Sequence, residues 1–381
     1  MFDFTFTEEQ LMLRDMVRDF ADNELKPLAA QIDEQQEIPV EIRKKIGDLG
    51  LLGAPFAVEY GGSGFGEIGY CLIQEAMGSS CMSTATFVGA HCSIGTNSIY
   101  IGGSEELKQK YMPQLTSGEK IAAFALTEQG AGSDAFNLRT KAEKDGNDWI
   151  INGEKLWITN GPFADVIAVY ARTNRGITGF VVEKGMPGFT PGAPEKKMGI
   201  KGSQTSTLTF DNVRVPAENM IGSEGRGFLI AMKVLDAGRL GLGAACLGGM
   251  KECLKLSTVY AKGRKQFDEP ISNFQAVQFM LAEMAIMIYE TESCLYRTAS
   301  AYDKGTMKAS EAAYCKYIAS ENLGKVVEYA MQVHGGMGFS KELPIERFYR
   351  DARINKIFEG TNEIQRLIIA RDIIKKNGNM D

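Results

Sequence analysis

The spacing of hydrophobic residues changes twice along the chain. Thr7 and Gln10 form a capping-box pair, which satisfies free N–H groups at a helix start. Leu13, Met16, Val17 and Phe20 then recur at helical spacing on one face, with Asp22, Glu24 and Lys26 off it. Further helices are expected around 40–50, 66–79 and 104–117, with a glycine loop, Gly61-Gly62-Ser63-Gly64-Phe65-Gly66, between them. From Ile121 to about Pro216 the pattern becomes one of strands and turns. Asn152-Gly153 and Asn160-Gly161 are turn signals bracketing a short strand, Glu154 to Thr159. Asp165 to Thr173 and Gly179 to Glu183 are rich in Val, Ile, Phe and Tyr, and Thr205 to Phe210 alternates towards its end. Helical texture returns at Gly227, in proline-free stretches 227–263, 272–304 and 308–334. Each would span roughly 40–50 Å at ~1.5 Å per residue, and helices of that length usually pack side by side. A last helix runs from Thr361, a suitable N-cap, to about Lys376. The expected architecture is a multidomain α+β chain: a helical domain over 1–120, a β domain over 121–226 and a helical bundle over 227–381.

Composition narrows the function classes. The 381 residues carry a net charge of −6, which does not suit a nucleic-acid phosphate backbone as the main partner. With only two histidines, His91 and His334, no metal site is expected. The seven cysteines have no CxxC spacing and read as buried, reduced thiols. The N-terminal stretch is acidic and unlike a secretory leader, and no apolar run approaches a membrane span. A cytoplasmic protein is expected.

Seven segments could carry chemistry. The glycine loop has GxGxxG-like spacing, but its surroundings are helical rather than βαβ, so it reads as a turn and not as a dinucleotide site. The run Leu126-Thr127-Glu128-Gln129-Gly130-Ala131-Gly132-Ser133-Asp134, and Trp157-Ile158-Thr159-Asn160-Gly161, could form a flat cofactor platform or ordinary turns beside a core tryptophan. Arg264-Lys265-Gln266-Phe267 ends a helix with cations, suiting either the helix C-terminus or a pyrophosphate. Asp236 and Arg239 share a helix face, as an ion pair or a polar-ligand site. Gln332 to Gly338 closes a helix with Gly335, Gly336 and Gly338, allowing close backbone approach. Glu359, on a turn just before the last helix, is either a solvated carboxylate or a base aimed into a pocket.

As a set, in this order and spacing, these segments strongly resemble the acyl-CoA dehydrogenase family over essentially the whole chain, and most of all its short-chain, butyryl-CoA type. The resemblance implies a helical N-terminal domain, a middle β-barrel-like domain and a C-terminal four-helix bundle. It also implies FAD between the β domain and the bundle. Leu126, Thr127, Trp157 and Thr159 match flavin-contacting positions, and Ser133 lies between cofactor and CoA. Arg264, Phe267, Gln332, Gly335 and Gly336 match groups reaching the FAD of a neighbouring subunit, so a homotetramer is implied. Thr361 and Glu363 match positions near the adenosine. Asp236 and Arg239, with Gly360, match substrate contacts. Glu359 would take the α-proton while a hydride passes from Cβ to flavin N5, and electrons would go on to an electron-transfer flavoprotein. An acyl-CoA oxidase and a non-catalytic acyl-CoA-binding flavoprotein are the alternatives.

Some relatives carry the base immediately before the arginine matched by Arg239. Here Gly238 stands there, which points away from the isovaleryl-CoA type. Glutaryl-CoA-type relatives hold a distal carboxylate with an arginine, whereas Cys81 to Gly103 contains no Lys or Arg. An uncharged acyl tail is therefore expected, short-chain by resemblance, with a cyclic or branched tail as the alternative. His91, in that stretch, is either a structural histidine or a residue of the acyl pocket.

Overall fold

A computed structural model of the protein describes residues 5–378. The N-terminal part is helical: α1 (Glu8–Phe20), α2 (Ala29–Gln35), α3 (Val40–Asp48), α4 (Gly66–Ser80), α5 (Met82–Gly89), α6 (Asn97–Gly102) and α7 (Glu105–Thr116). The Thr7 hydroxyl accepts from the Gln10 N–H at 3.2 Å and the Gln10 side chain accepts from Thr7 N–H at 3.0 Å, closing the capping box. Leu13, Val17 and Phe20 are buried, but Met16 is 38% exposed, at the edge of the packed stripe. Between α5 and α6 the chain widens into a π-helical turn, Ala90–Thr96.

The middle part is a sheet of β1 (Ala122–Ala125), β2 (Lys141–Asp145), β3 (Asp148–Thr159), β4 (Val166–Thr173), β5 (Gly176–Glu183), β6 (Phe189–Pro191), β7 (Thr205–Val215) and β8 (Met220–Ile221). The order is β6-β7-β3-β2-β4-β5-β8, with β1 parallel to β4. Asn152-Gly153 is not a hairpin turn. It lies inside one continuous strand, where the register against β7 shifts between Ile151 and Gly153. Glycine is needed there because an added Cβ would sit 2.6 Å from the Thr140 hydroxyl, at φ 146°. Asn160, at φ 65°, does end the strand.

The C-terminal part is built on α8 (Gly227–Gly263), then a hairpin of β9 (Lys265–Gln266) and β10 (Glu269–Pro270), α9 (Gln275–Asp303), α10 (Ala309–His334), the short α11 (Gly336–Phe339), α12 (Ile345–Ala352) and α13 (Asn362–Lys375). The long helices α8, α9 and α10 pack on one another, and α13 lies on α10. Helix α4 also lies on α8. Close contact is possible because α8 offers glycine: a Cβ at Gly248 would fall 1.9 Å from the Glu75 carbonyl oxygen, and one at Gly241 would strike the Tyr70 ring at 2.3 Å. No helix of the described residues is long and apolar enough to cross a membrane.

One buried ion pair fixes the edge of the β part. Lys155 is fully buried, and its ammonium donates to the Glu128 carboxylate at 2.8 Å and to the Leu126 carbonyl at 3.0 Å. Glu128 also accepts from the backbone N–H groups of Arg139 and Thr140. Every charge is thereby matched in a dry setting. Lys155→Met strands the Glu128 carboxylate and should lower stability by about 3–5 kcal/mol. The double variant Lys155→Met/Glu128→Gln should recover part of that loss; thermal unfolding of the three proteins measures both.

Candidate active site

The site is organised by a tight turn before α13. Glu359 (φ 55°) and Gly360 (φ 90°) both take left-handed backbone conformations, unusual for a glutamate and held here by the surroundings. At Gly360 a Cβ would lie 2.7 Å from the Gln365 amide nitrogen, so only glycine fits. Gln365, fully buried, donates to the Gly360 carbonyl at 2.8 Å and the Glu359 carbonyl at 3.4 Å. Arg239 Nε donates to the same Glu359 carbonyl at 3.3 Å, while its Nη1 pairs with Asp236 at 2.6 Å. Asp236 and Arg239 thus form the intrahelical pair, and Arg239 additionally clamps the turn.

The Glu359 side chain points inward. Its Oε2 is buried without a hydrogen-bond partner and lies against α8 at Gly238, where a Cβ would be only 2.6 Å away. Gly238 is therefore the opening that admits the carboxylate. Burial raises the Glu359 pKa from 4.5 to about 7, with Arg239 and then Lys316 pulling the other way. Lys316 is fully buried on α10, donates to the Asn362 side chain at 2.7 Å and is itself pushed down to about 8 by burial. No backbone hydrogen bond among the described residues occupies the Glu359 N–H. Lys316 and the opening at Gly238 escaped sequence reasoning. Lys316 is one lysine in a long helix, and nothing in its spacing marks it as buried.

A second cluster forms where β1 leaves the sheet edge. The Leu156 N–H donates to the Thr127 carbonyl at 2.9 Å, so the two segments flanking the sheet meet. With Lys155 holding Leu126, the platform segments are fixed side by side. Trp157 is not a core residue: it sits at φ 62° and is 56% exposed. Thr127 and Thr159 are half-buried, and Ser133 is exposed. Added Cβ atoms at Gly130 and Gly132 would meet open space. An exposed indole in a strained backbone, beside rigidly held hydroxyls and an open glycine run, suits a flat aromatic cofactor with a phosphate tail.

The remaining candidates lie elsewhere on the surface. Arg264 is not inside a helix end but just after it; Lys265 to Pro270 form the β9–β10 hairpin, with Phe267 (φ 52°) and Asp268 (φ 66°) at its tip. Two successive left-handed residues suit a two-residue hairpin turn, and they leave Phe267 89% exposed. Gln332, Gly335 and Gly336 are exposed at the end of α10, and an added Cβ at either glycine would meet open space. Thr361 caps α13 by accepting from Ile364 N–H, and Glu363 is exposed in its first turn. His91 is a structural residue. It is fully buried, its Nδ1 accepts from the Ala122 N–H at 2.9 Å and its Nε2 lies 3.0 Å from the Leu115 carbonyl, so both nitrogens are spent on backbone. Burial pushes its pKa down to about 4, and the neutral ring faces β1 rather than an acyl pocket. All seven cysteines are free thiols, six of them buried and Cys294 half-buried.

Comparison with known proteins bears on the whole chain. Family models described as the acyl-CoA dehydrogenase N-terminal, middle and C-terminal domains match residues 7–119, 123–213 and 225–374. The chain is 42% identical to the short-chain-specific acyl-CoA dehydrogenase of Clostridium acetobutylicum, over 98% of this chain and 100% of that protein. It is similar to the structure of butyryl-CoA dehydrogenase from Megasphaera elsdenii, with a TM-score of 0.96 and 38% identity over 98% of this chain and 100% of that one. The structure of an acyl-CoA dehydrogenase complexed with FAD from Bacillus anthracis matches with a TM-score of 0.93 and 40% identity, over 98% of this chain and 68% of that one. With all three domain models satisfied in order and two of these relatives matched along their full length, the chain belongs to the acyl-CoA dehydrogenase family of enzymes.

Proposed function

We propose that the chain catalyses α,β-dehydrogenation of a short-chain acyl-CoA without a distal carboxylate, with Glu359 as the base. The observation that carries this reading is the Glu359 carboxyl: buried, unpartnered at Oε2, and raised to about 7 by burial. An α-proton beside a thioester is far too weakly acidic for a carboxylate in water. A desolvated carboxylate near neutrality is a better match, since proton transfer is easiest when the two acidities approach one another. The free Glu359 N–H is a donor available for the thioester oxygen, where charge develops as the proton leaves. Arg239 and Gln365 hold the carbonyl of the same residue, so base and N–H are oriented by one rigid turn.

FAD is the proposed cofactor, and when bound it supplies acceptance of the hydride equivalents from Cβ. Leu126, Thr127, Trp157 and Thr159 would hold its ring system and Ser133 the region between cofactor and CoA. Arg264, Phe267, Gln332, Gly335 and Gly336, all exposed, would reach the cofactor of a neighbouring copy, with Thr361 and Glu363 near its adenosine end. Asp236 and Arg239, with Gly360, would meet the CoA thioester. This arrangement requires an oligomer, a homotetramer on the family pattern, and an electron-transfer flavoprotein as the electron acceptor. With three domains over 1–120, 121–226 and 227–381, the cofactor would lie between the second and third.

Glu359→Gln should abolish bleaching of the flavin by butanoyl-CoA, at least about a thousandfold in rate, while the protein keeps its yellow colour. Undiminished bleaching would reject the role of Glu359. An oxidase would instead reoxidise rapidly in air and release peroxide. The pH dependence has a definite sign. The base must be ionised, so the rate of flavin reduction in stopped flow should rise with pH through a midpoint near 7 and flatten above it. A profile flat from acid to neutral pH would contradict a buried base.

A further inference from the structure

A cavity of about 190 Å³ lies on the Tyr70 side of α8, lined by Glu67, Tyr70, Tyr100, Tyr302, Asp303 and Phe56, with Cys92 and Ser93 of the π-helical turn Ala90–Thr96 as a further wall. Its position follows from α8. The Glu359 carboxylate rests at Gly238 and the Tyr70 ring at Gly241. Those glycines are three residues apart, about 4.5 Å along the helix. The charge of Glu359 acts on both Tyr70 and Glu67. A chain whose α-carbon sits at Glu359 therefore has this cavity as a place for its far end.

We propose that the cavity receives a cationic group, a primary or methylated ammonium, carried at the distal end of the acyl chain. This inference rests on the acyl-CoA reading above and names its substrate class. Glu67 is the first reason. Its side chain faces the cavity, only 6% of the residue is exposed, and Oε1 is buried with no hydrogen-bond partner. No Lys or Arg lines the cavity. A buried carboxyl without a partner is costly, and an apolar tail would leave it so. Burial raises its pKa well above the usual carboxylate range, and Asp303 and then Glu359 push the same way.

Asp303 is largely explained by the fold. Its carboxylate accepts from the Glu67 and Ile68 N–H groups at 2.6 and 3.1 Å, capping the start of α4 from α9. It still adds a second acidic group to the cavity. The aromatic rings are the independent reason. Four of them, Tyr70, Tyr100, Tyr302 and Phe56, surround the same space. Ring faces attract cations, and several rings closing on one volume are how proteins hold alkylammonium groups. Lys108 stands 5.8 Å from the Tyr100 centroid and does not line the cavity. An anionic tail would meet Glu67 and Asp303 with no countercharge. A cation satisfies both the carboxyl and the rings. The absence of Lys and Arg from Cys81 to Gly103 excludes an anionic tail, but the expectation of an uncharged one is here replaced, because Glu67 lies ahead of that segment.

The test compares two ligands of equal shape on the FAD-loaded enzyme. One is butanoyl-CoA with a trimethylammonium on its terminal carbon; the other has that nitrogen replaced by carbon. Their unreactive thioether forms are bound in calorimetry, and the thioesters are assayed by flavin bleaching. The cation should bind at least about tenfold more tightly than its carbon counterpart. Glu67→Gln should erase that preference, read as the ratio of the two affinities measured on the same variant. Tyr100→Leu, which removes one ring without touching the carboxyl, should reduce it severalfold. Equal or tighter binding of the neutral ligand, or a preference that survives Glu67→Gln, would overturn the proposal. If the thioethers discriminate but no acyl-CoA bleaches the flavin, the cavity assignment stands and the dehydrogenase reading fails. Bleaching by butanoyl-CoA without charge discrimination sinks the cavity assignment alone.

Discussion

The site depends on a carboxyl group drawn largely out of water, with Oε2 buried and without a hydrogen-bond partner. Glu359 is buried against bare helix backbone at Gly238, and burial outweighs the two cations that act on it. The cost appears in the stability of the chain. A carboxyl raised from 4.5 to about 7 keeps its proton in the folded state where the unfolded chain has lost it. Its burial is thus most compatible with the fold below the unfolded value, and that advantage is lost as pH rises through about 7. The ionised form that would act as the base is also the form the fold tolerates least. This explains why the surrounding turn is over-determined, with Arg239 and Gln365 both on the Glu359 carbonyl, Gln365 also on that of Gly360, and Thr361 capping the helix that follows.

The same physical problem is solved differently elsewhere in the molecule. Lys155 and Glu128 are equally dry, yet each charge finds a partner and two backbone N–H groups complete the carboxylate. That pair is structural: it holds Leu126 and, through the neighbouring backbone, Thr127 beside Leu156. His91 is likewise neutralised and fully bonded. Glu359 and Glu67 differ from these in being buried with an oxygen left unpaired. In a structure where most buried polar groups are matched, two unmatched carboxyls on neighbouring surfaces mark where a ligand belongs.

Glycine on α8 makes this geometry possible. Gly238 admits the Glu359 carboxyl, Gly241 the Tyr70 ring and Gly248 the backbone of α4. The helix therefore keeps a continuous ladder while its surface is carved to backbone depth. The π-helical turn at Ala90–Thr96 widens the opposing wall. Fold and site are thus coupled through packing: the N-terminal helices pack against α8 on the side where the turn before α13 presents Glu359.

The sequence by itself determined the alternation of helical, β and helical parts, because periodicity and caps are local properties; the Thr7 and Thr361 caps and the long helix Gly227–Gly263 fall where spacing puts them. It also determined the family, because the motifs around Leu126, Trp157, Arg264 and Glu359 occur together in order. It misread Asn152-Gly153 as a reversal, since a bulge and a turn use the same dipeptide and only the position of Thr140 distinguishes them. Tertiary structure alone decided which polar residues are dry. Glu67, Lys155, Lys316 and His91 are unremarkable in their local sequence, and burial depends on helices and strands far away in the chain. Solvation of a side chain is set by what packs over it, and no local pattern carries that information.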